Sequence, residues 1–184
     1  MVSAKEPRVT TLVNFGPIVQ NAYVVRDLEA AAHHWSHTVG VGPFYVLEHV
    51  AYDPAYFRGQ PLAIDMSVAI AQWGDIQIEL IQQHDATPSI YTEFSARHGE
   101  GLQHMGVLTD NLDEHVQRLA SKGIEPVQWG TTTKGMRFAY MGTDAHPGGM
   151  VELIENSPSV DAFFAKIRRA ASAWDGTRPL RKLS

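Results

Sequence analysis

The chain of 184 residues contains no cysteine, which excludes disulfide staples, thiolate catalysis and a Cys-ligated zinc site. No apolar run approaches the ~20 residues that a bilayer-spanning helix needs, so no membrane partner is expected. Basic residues are outnumbered, 15 Lys and Arg against 20 Asp and Glu, for a formal net charge of -5. That balance argues against nucleic acid as a partner, because phosphate binding takes clustered cations. Positive charge gathers late (Lys166, Arg168, Arg169, Arg178, Arg181, Lys182) and reads as a solvated helix face and tail. Met1 to Arg8 lacks the apolar core of a signal peptide, so a cytoplasmic location is the expectation. Hydrophobic residues at 44% and charged residues at 19% describe an ordinary globular chain with a sizeable core.

What the chain does contain is a repeat of itself. Gln20 to Asp27 is an alternating strand that ends on a helix-capping residue, and His104 to Asn111 has the same length and ending. Asp27 and Asn111 suit N-caps. Leu28, Ala31, Ala32 and Trp35 then recur at helical spacing, as do Leu112, His115, Val116 and Leu119, before Gly40 and Gly123 stop each helix. The pattern predicts strands over 44–50, 63–72 and 76–82 in the first copy and over 124–129, 137–141 and 150–155 in the second. Each copy closes alike, Ile78-Glu79-Leu80-Ile81 beside Val151-Glu152-Leu153-Ile154. Two βαβββ modules result, 16–83 and 102–156, within a single domain. A connector over 84–101 carries a short helix near Ser89 to Arg97. The remainder, 157–184, is predicted as an amphipathic helix over 160–174 and a loose tail. The stretch Ala51 to Leu62, with Tyr52, Tyr56, Phe57 and Arg58 among prolines and a glycine, reads as a long loop able to cover a pocket, and Thr131 to Gly135 as a polar turn.

Side chains alternate across a strand, so phase tells direction. Ile78, Leu80, Val151 and Leu153 belong under the helices, which turns Glu79 and Glu152 into the hollow of the sheet. Gln20 shares a face with Ala22 and Val24, and His104 with Gly106 and Leu108; the small neighbours leave space. Two buried carboxylates without a counter-charge cost several kcal/mol. Together with an imidazole and an amide oxygen they make sense around a cation. Such a donor set fits zinc, manganese, cobalt, nickel or iron better than calcium, and spacing does not choose among them.

The segments Val24-Val-Arg-Asp-Leu28, Gly40-Val-Gly-Pro43, Arg58-Gly59-Gln60, Ile78-Glu-Leu-Ile81, Pro88-Ser-Ile-Tyr91 and Gly99-Glu-Gly-Leu-Gln-His104 resemble the vicinal oxygen chelate superfamily. That group includes glyoxalase I, methylmalonyl-CoA epimerase, extradiol dioxygenases and bleomycin-resistance proteins. The resemblance runs from about Gly16 to Asn156 and is nearest the glyoxalase-like and epimerase-like branch. It implies an α+β fold in which two tandem βαβββ modules form a curved, incomplete β-barrel around a metal site, with the C-terminal helix added. It also implies one divalent metal ion held by Gln20, Glu79, His104 and Glu152, within one chain or shared across a homodimer. Epimerase-like relatives carry His at the first of these positions. Gln20 departs from that, matching instead the Gln/Glu/His/Glu set of one type of glyoxalase I. The positions where that enzyme anchors glutathione hold Val24, Gln83 and Glu100, which argues against a glutathione substrate. One His and two Glu also argue against the iron triad of a ring-cleaving dioxygenase.

The activity implied is that of a metal-dependent isomerase, epimerase or lyase, in which the ion stabilises the enolate left when an acidic C–H loses its proton. Glu152 is the expected base, with Glu79 the alternative. Tyr52, Tyr56, Phe57, Trp73, Tyr91, Trp129, Met136 and Phe138 are the expected lining of a pocket for a bulky apolar or acyl-thioester small molecule. A ring-cleaving dioxygenase and a non-catalytic sequestration protein are the alternatives. Among the other histidines, His33 and His37 read as a solvated helix face, His146 as surface, and His49 and His98 carry no motif.

Overall fold

The computed structural model describes residues 15–183; the reading of Met1 to Arg8 lies outside the described residues. Two copies of one unit build a single curved, open sheet of eleven strands. At its centre β1 (Ile18–Val24) runs antiparallel to β7 (Gly101–Thr109). Each is flanked by a parallel neighbour, β6 (Ile76–Gln83) beside β1 and β10 (Met150–Glu155) beside β7. Beyond β6 lie β5 (Met66–Trp73) and β2 (Phe44–Leu47); beyond β10 lie β9 (Arg137–Met141) and β8 (Pro126–Thr132).

Helix α1 (Leu28–His34) starts where the Asp27 carboxylate accepts the Ala30 N–H at 2.9 Å, and α3 (Leu112–Ala120) where Asn111 Oδ1 accepts that of Glu114 at 3.1 Å. A wider π-type turn, Trp35–Val39, continues α1 until Gly40 ends it at φ 79°, a backbone region open to glycine at little cost. Leu28 and Ala32 pack on Ile78, Leu80 and Phe44, while Leu112 and Leu119 pack on Leu153 and Met141. These apolar phases fill the convex side, which leaves the alternate residues of the same strands facing the hollow. Helix α2 (Ile90–His98) is the expected connector helix, capped by Ser89. Helix α4 (Pro158–Ser172) lays Phe163, Phe164 and Ile167 into the concave-side core. No helix among the described residues is long and apolar enough to cross a membrane.

Two segments differ from expectation. The stretch read as a loop holds β3 (Tyr52–Phe57) and β4 (Gln60–Pro61), and β3 crosses to pair with β8 of the second module. Pro54 masks this strand in the sequence because proline cannot donate to a ladder; the pairing register shifts between Tyr52 and Ala55, around that residue. The C-terminal segment is not a loose tail. Its β11 (Leu180–Lys182) runs parallel to β2, with Phe44 N donating to Pro179 O at 2.7 Å and Leu180 packed on the α1-side core. An unpaired β2 edge supplied the hydrogen-bonding partners that a polar tail sequence does not advertise.

Candidate metal centre

Four adjacent central strands carry the four expected ligands toward one hollow. Glu79 and His104 both stand opposite Ala22, while Gln20 and Glu152 both stand opposite Gly106. His104 is fully enclosed, and the side chains of Glu152 and Glu79 keep 5% and 12% of their exposure. His104 Nε2 lies 3.3 Å from Glu152 Oε2 and 3.7 Å from Glu79 Oε2. One donor atom from each of the three falls within 4.8 Å of the others, and all three belong to one chain.

The donor chemistry fits a bound cation. His104 Nε2 is buried and has no hydrogen-bond partner, while Nδ1 sits 2.7 Å from Gln103 Oε1. With Nδ1–H donated to that amide, the Nε2 lone pair points between the two carboxylates, which is how a ligating imidazole is oriented. Gln20 Nε2 donates to Gln77 Oε1 at 3.2 Å, so the Gln20 oxygen is left for the ion. That oxygen hangs over Gly106, where an added Cβ would come within 3.2 Å of it and 3.1 Å of Gln20 Cβ. Gly106→Ala is therefore expected to displace the Gln20 amide and weaken metal binding by roughly 10–100-fold, the range for disturbed ligand supports. A metal titration of the variant checks this.

Electrostatics agree with that fit. Burial first, and the facing Glu152 second, push the Glu79 carboxyl well above the usual carboxylate range. A group whose folded pKa is raised binds its proton more tightly when folded, so the metal-free fold loses stability as pH rises past the unfolded value of ~4.3. A cation held between the two carboxylates would relieve that penalty. The melting temperature is expected to rise more on adding Zn2+ at pH 8 than at pH 5, as followed by thermal denaturation with and without chelator. Burial also drives the Tyr52, Tyr91 and Tyr140 hydroxyls upward, with the two carboxylates adding to the effect. All three stay neutral hydrogen-bond donors. Tyr91 and Tyr140 pair at 2.9 Å between hydroxyls, and the Tyr140 ring stands edge-on to His104 at 4.9 Å between centroids.

The hollow opens into a cavity of about 530 Å³ that reaches Gln20, Glu79 and Glu152. Its walls are mostly apolar and include Tyr52, Tyr91, Met136 and Phe138. Tyr56, Phe57, Trp73 and Trp129 are not among them, a correction with its cause in strand phase for all but Phe57. Trp73 follows Ala69 and Ala71 onto the convex side, meets Trp35 at 5.9 Å and is 55% exposed. Tyr56 and Trp129 are cross-strand partners stacked at 5.4 Å on the outer face, in a separate cleft with Leu112 and Val116. Phe57 is buried in the concave-side core. Three residues escaped the sequence reading. Tyr140 was within reach of it, since it stands two residues after Phe138 on the same face. Gln77 likewise precedes Glu79 by two. Gln103 was not, because the register of β7 slips between Ala22 and Tyr23 and leaves Gln103 as an extra residue; such a bulge sets two neighbours toward one side.

A family model described as the Glyoxalase/Bleomycin resistance protein/Dioxygenase superfamily matches residues 19–140. No curated protein matches the chain in sequence. Among solved structures, a hypothetical protein of Bacillus halodurans superposes with a TM-score of 0.57 at 15% identity, covering 77% of this chain and 94% of that one. The methylmalonyl-CoA epimerase of Mycobacterium tuberculosis gives 0.53 at 21% identity, covering 79% and 91%. That of Streptomyces coelicolor, in complex with 2-nitronate-propionyl-CoA, gives 0.56 at 17% identity, covering 79% and 97%. At these identities the likeness is one of fold.

Proposed function

Since the chain belongs to the Glyoxalase/Bleomycin resistance protein/Dioxygenase superfamily, we propose that it is a divalent-metal-dependent isomerase, epimerase or lyase. It would abstract a proton next to a carbonyl of a bulky apolar or acyl-thioester substrate. The observation that carries this reading is the unpartnered His104 Nε2 enclosed between two carboxylates. A bound divalent ion would supply Lewis acidity toward the substrate oxygens.

This chain's own residues do the rest. Gln20, His104 and one carboxylate hold the ion, and the second carboxylate moves the proton. Glu152 was the expected base, but the geometry favours Glu79. Glu152 is nearer to His104 Nε2 and more enclosed, as befits a fixed ligand, whereas Glu79 keeps more access to the cavity. The neutral hydroxyl of Tyr52, which donates to Met66 Sδ at 3.1 Å, joins the cavity wall, and Val68, Ile70, Ile154 and Phe163 exclude water around an apolar ligand. The epimerase of Streptomyces coelicolor was solved with an acyl-CoA ligand, which places acyl thioesters first among the compounds to test. A homodimer belongs to the same proposal, and light scattering checks it.

The test is proton exchange. Protein loaded with Zn2+, Mn2+, Co2+, Ni2+ or Fe2+ is incubated in D2O with branched acyl thioesters and α-hydroxy carbonyl compounds, and deuterium entry is followed by NMR. Metal-dependent wash-in beside the carbonyl is the expected result. No exchange with any compound under any metal, in protein shown to bind the ion, rejects the reading.

A further inference from the structure

A second cluster of metal-ligating side chains lies where three loops meet. His49 stands between β2 and β3, Asp65 just before β5, and His84 just after β6. One imidazole nitrogen from each histidine and one Asp65 oxygen fall within 4.8 Å of one another. His49 Nδ1 is 2.5 Å from Asp65 Oδ1, and the two imidazole rings lie 5.3 Å apart, tilted by 43°.

The cluster is built in place by its own backbone. His84 N donates to Asp65 O at 2.7 Å, Val50 N to Met66 O at 2.8 Å, and Asp65 N to Asp85 Oδ2 at 2.9 Å. Ser67 Oγ holds the His84 ring through Nε2 at 2.8 Å and also accepts the His49 N–H at 3.2 Å. A hydrogen bond to one ring nitrogen fixes the tautomer and orients the other, the usual outer support of a ligating imidazole. His49 itself adopts φ 50°, a left-handed conformation uncommon outside glycine and held only when surroundings over-determine it. Neighbouring Asp85, which accepts the Asp65 N–H at 2.9 Å, adds negative charge that favours a cation, while Glu48 beside His49 is paired with Lys182 at 2.8 Å.

We propose that His49, Asp65 and His84 form a second divalent-metal site of zinc type, at the rim of the cavity. Two imidazoles and a carboxylate match the three-ligand zinc set that leaves a further position open. His49 is also part of the cavity lining, so the site borders the cavity. This site rests on residues separate from the buried centre and does not depend on the proposed reaction.

Zn2+ alone is the probe, titrated calorimetrically into the chelator-stripped full chain, with elemental analysis after desalting. Wild type is expected to bind two equivalents. His49→Ala and His84→Ala are each expected to keep one, with the lost phase weakened more than ~100-fold, beyond the roughly 10–100-fold of outer-support changes. Both residues are exposed, so the fold survives their replacement, which circular dichroism verifies. His104→Ala, or Glu79→Gln with Glu152→Gln should that variant not fold, retains the rim equivalent. Unchanged isotherms in both rim variants overturn the proposal, as does a single wild-type equivalent that vanishes with His104→Ala. A single equivalent that survives His104→Ala and disappears in His84→Ala supports the rim site and counts against the buried one.

Discussion

Glu79→Gln is expected to slow deuterium wash-in by roughly 10²–10⁴-fold, the range that a positioned general base contributes, while the ion stays bound. The substitution preserves shape and leaves an amide oxygen able to ligate, but it removes the lone pair that takes the proton. Glu152→Gln is expected to divide its effect differently. As the carboxylate closest to His104 Nε2, at 3.3 Å, it loses charge against the ion itself, so metal affinity falls along with the rate. Exchange rates at saturating metal, read beside metal content, separate the two roles. Should Glu152→Gln keep full occupancy and lose the rate while Glu79→Gln loses the ion, the assignments are exchanged. The glutamines also remove a repulsion that is present when no ion neutralises the pair. Metal-free Glu79→Gln is accordingly expected to melt above metal-free wild type at pH 8.

His104→Ala is expected to weaken metal binding at the buried centre by more than ~100-fold and to abolish metal-dependent exchange. The imidazole is the sole nitrogen donor of the quartet, and its removal leaves Gln20 and two carboxylates, an oxygen set suited to harder ions. It also empties a fully enclosed volume, so a loss of stability comes with it. Gln103→Leu separates the two effects. It keeps the imidazole and the packing but takes away the Nδ1 partner 2.7 Å distant, and affinity is expected to fall by roughly 10–100-fold. If Gln103→Leu binds metal as wild type does while His104→Ala fails to fold, orientation through Nδ1 is not part of the site.

The doubled architecture was legible because its signals are local. Asp27 and Asn111 mark helix starts, and the alternation around Ile78-Glu79-Leu80 and Val151-Glu152-Leu153 tells which residues turn from the helices. Those phases are what bring Glu79, His104 and Glu152 together from strands far apart in the chain. What stayed hidden depends on partners rather than on local pattern. The pairing of β3 with β8 is a tertiary choice that Pro54 disguises, and β11 exists because β2 offered a free edge. Aromatic residues misled for the same reason. A tryptophan such as Trp73 serves a cavity or a convex face equally well by composition, and only its phase with Ala69 and Ala71 decides. His49 carried no motif because Asp65 and His84 lie on other loops and meet it only through the side-by-side pairing of β2, β5 and β6.

The crossing of β3 also sets how the chain can be divided. By sequence this strand belongs to the first module, yet its ladder is with the second, so each half lends the other an arm. A fragment ending at the connector would carry a ribbon with nothing to dock on, and its complement would present a bare β8 flank to any passing chain. The two halves are interlocked as well as duplicated, and neither is a self-sufficient piece.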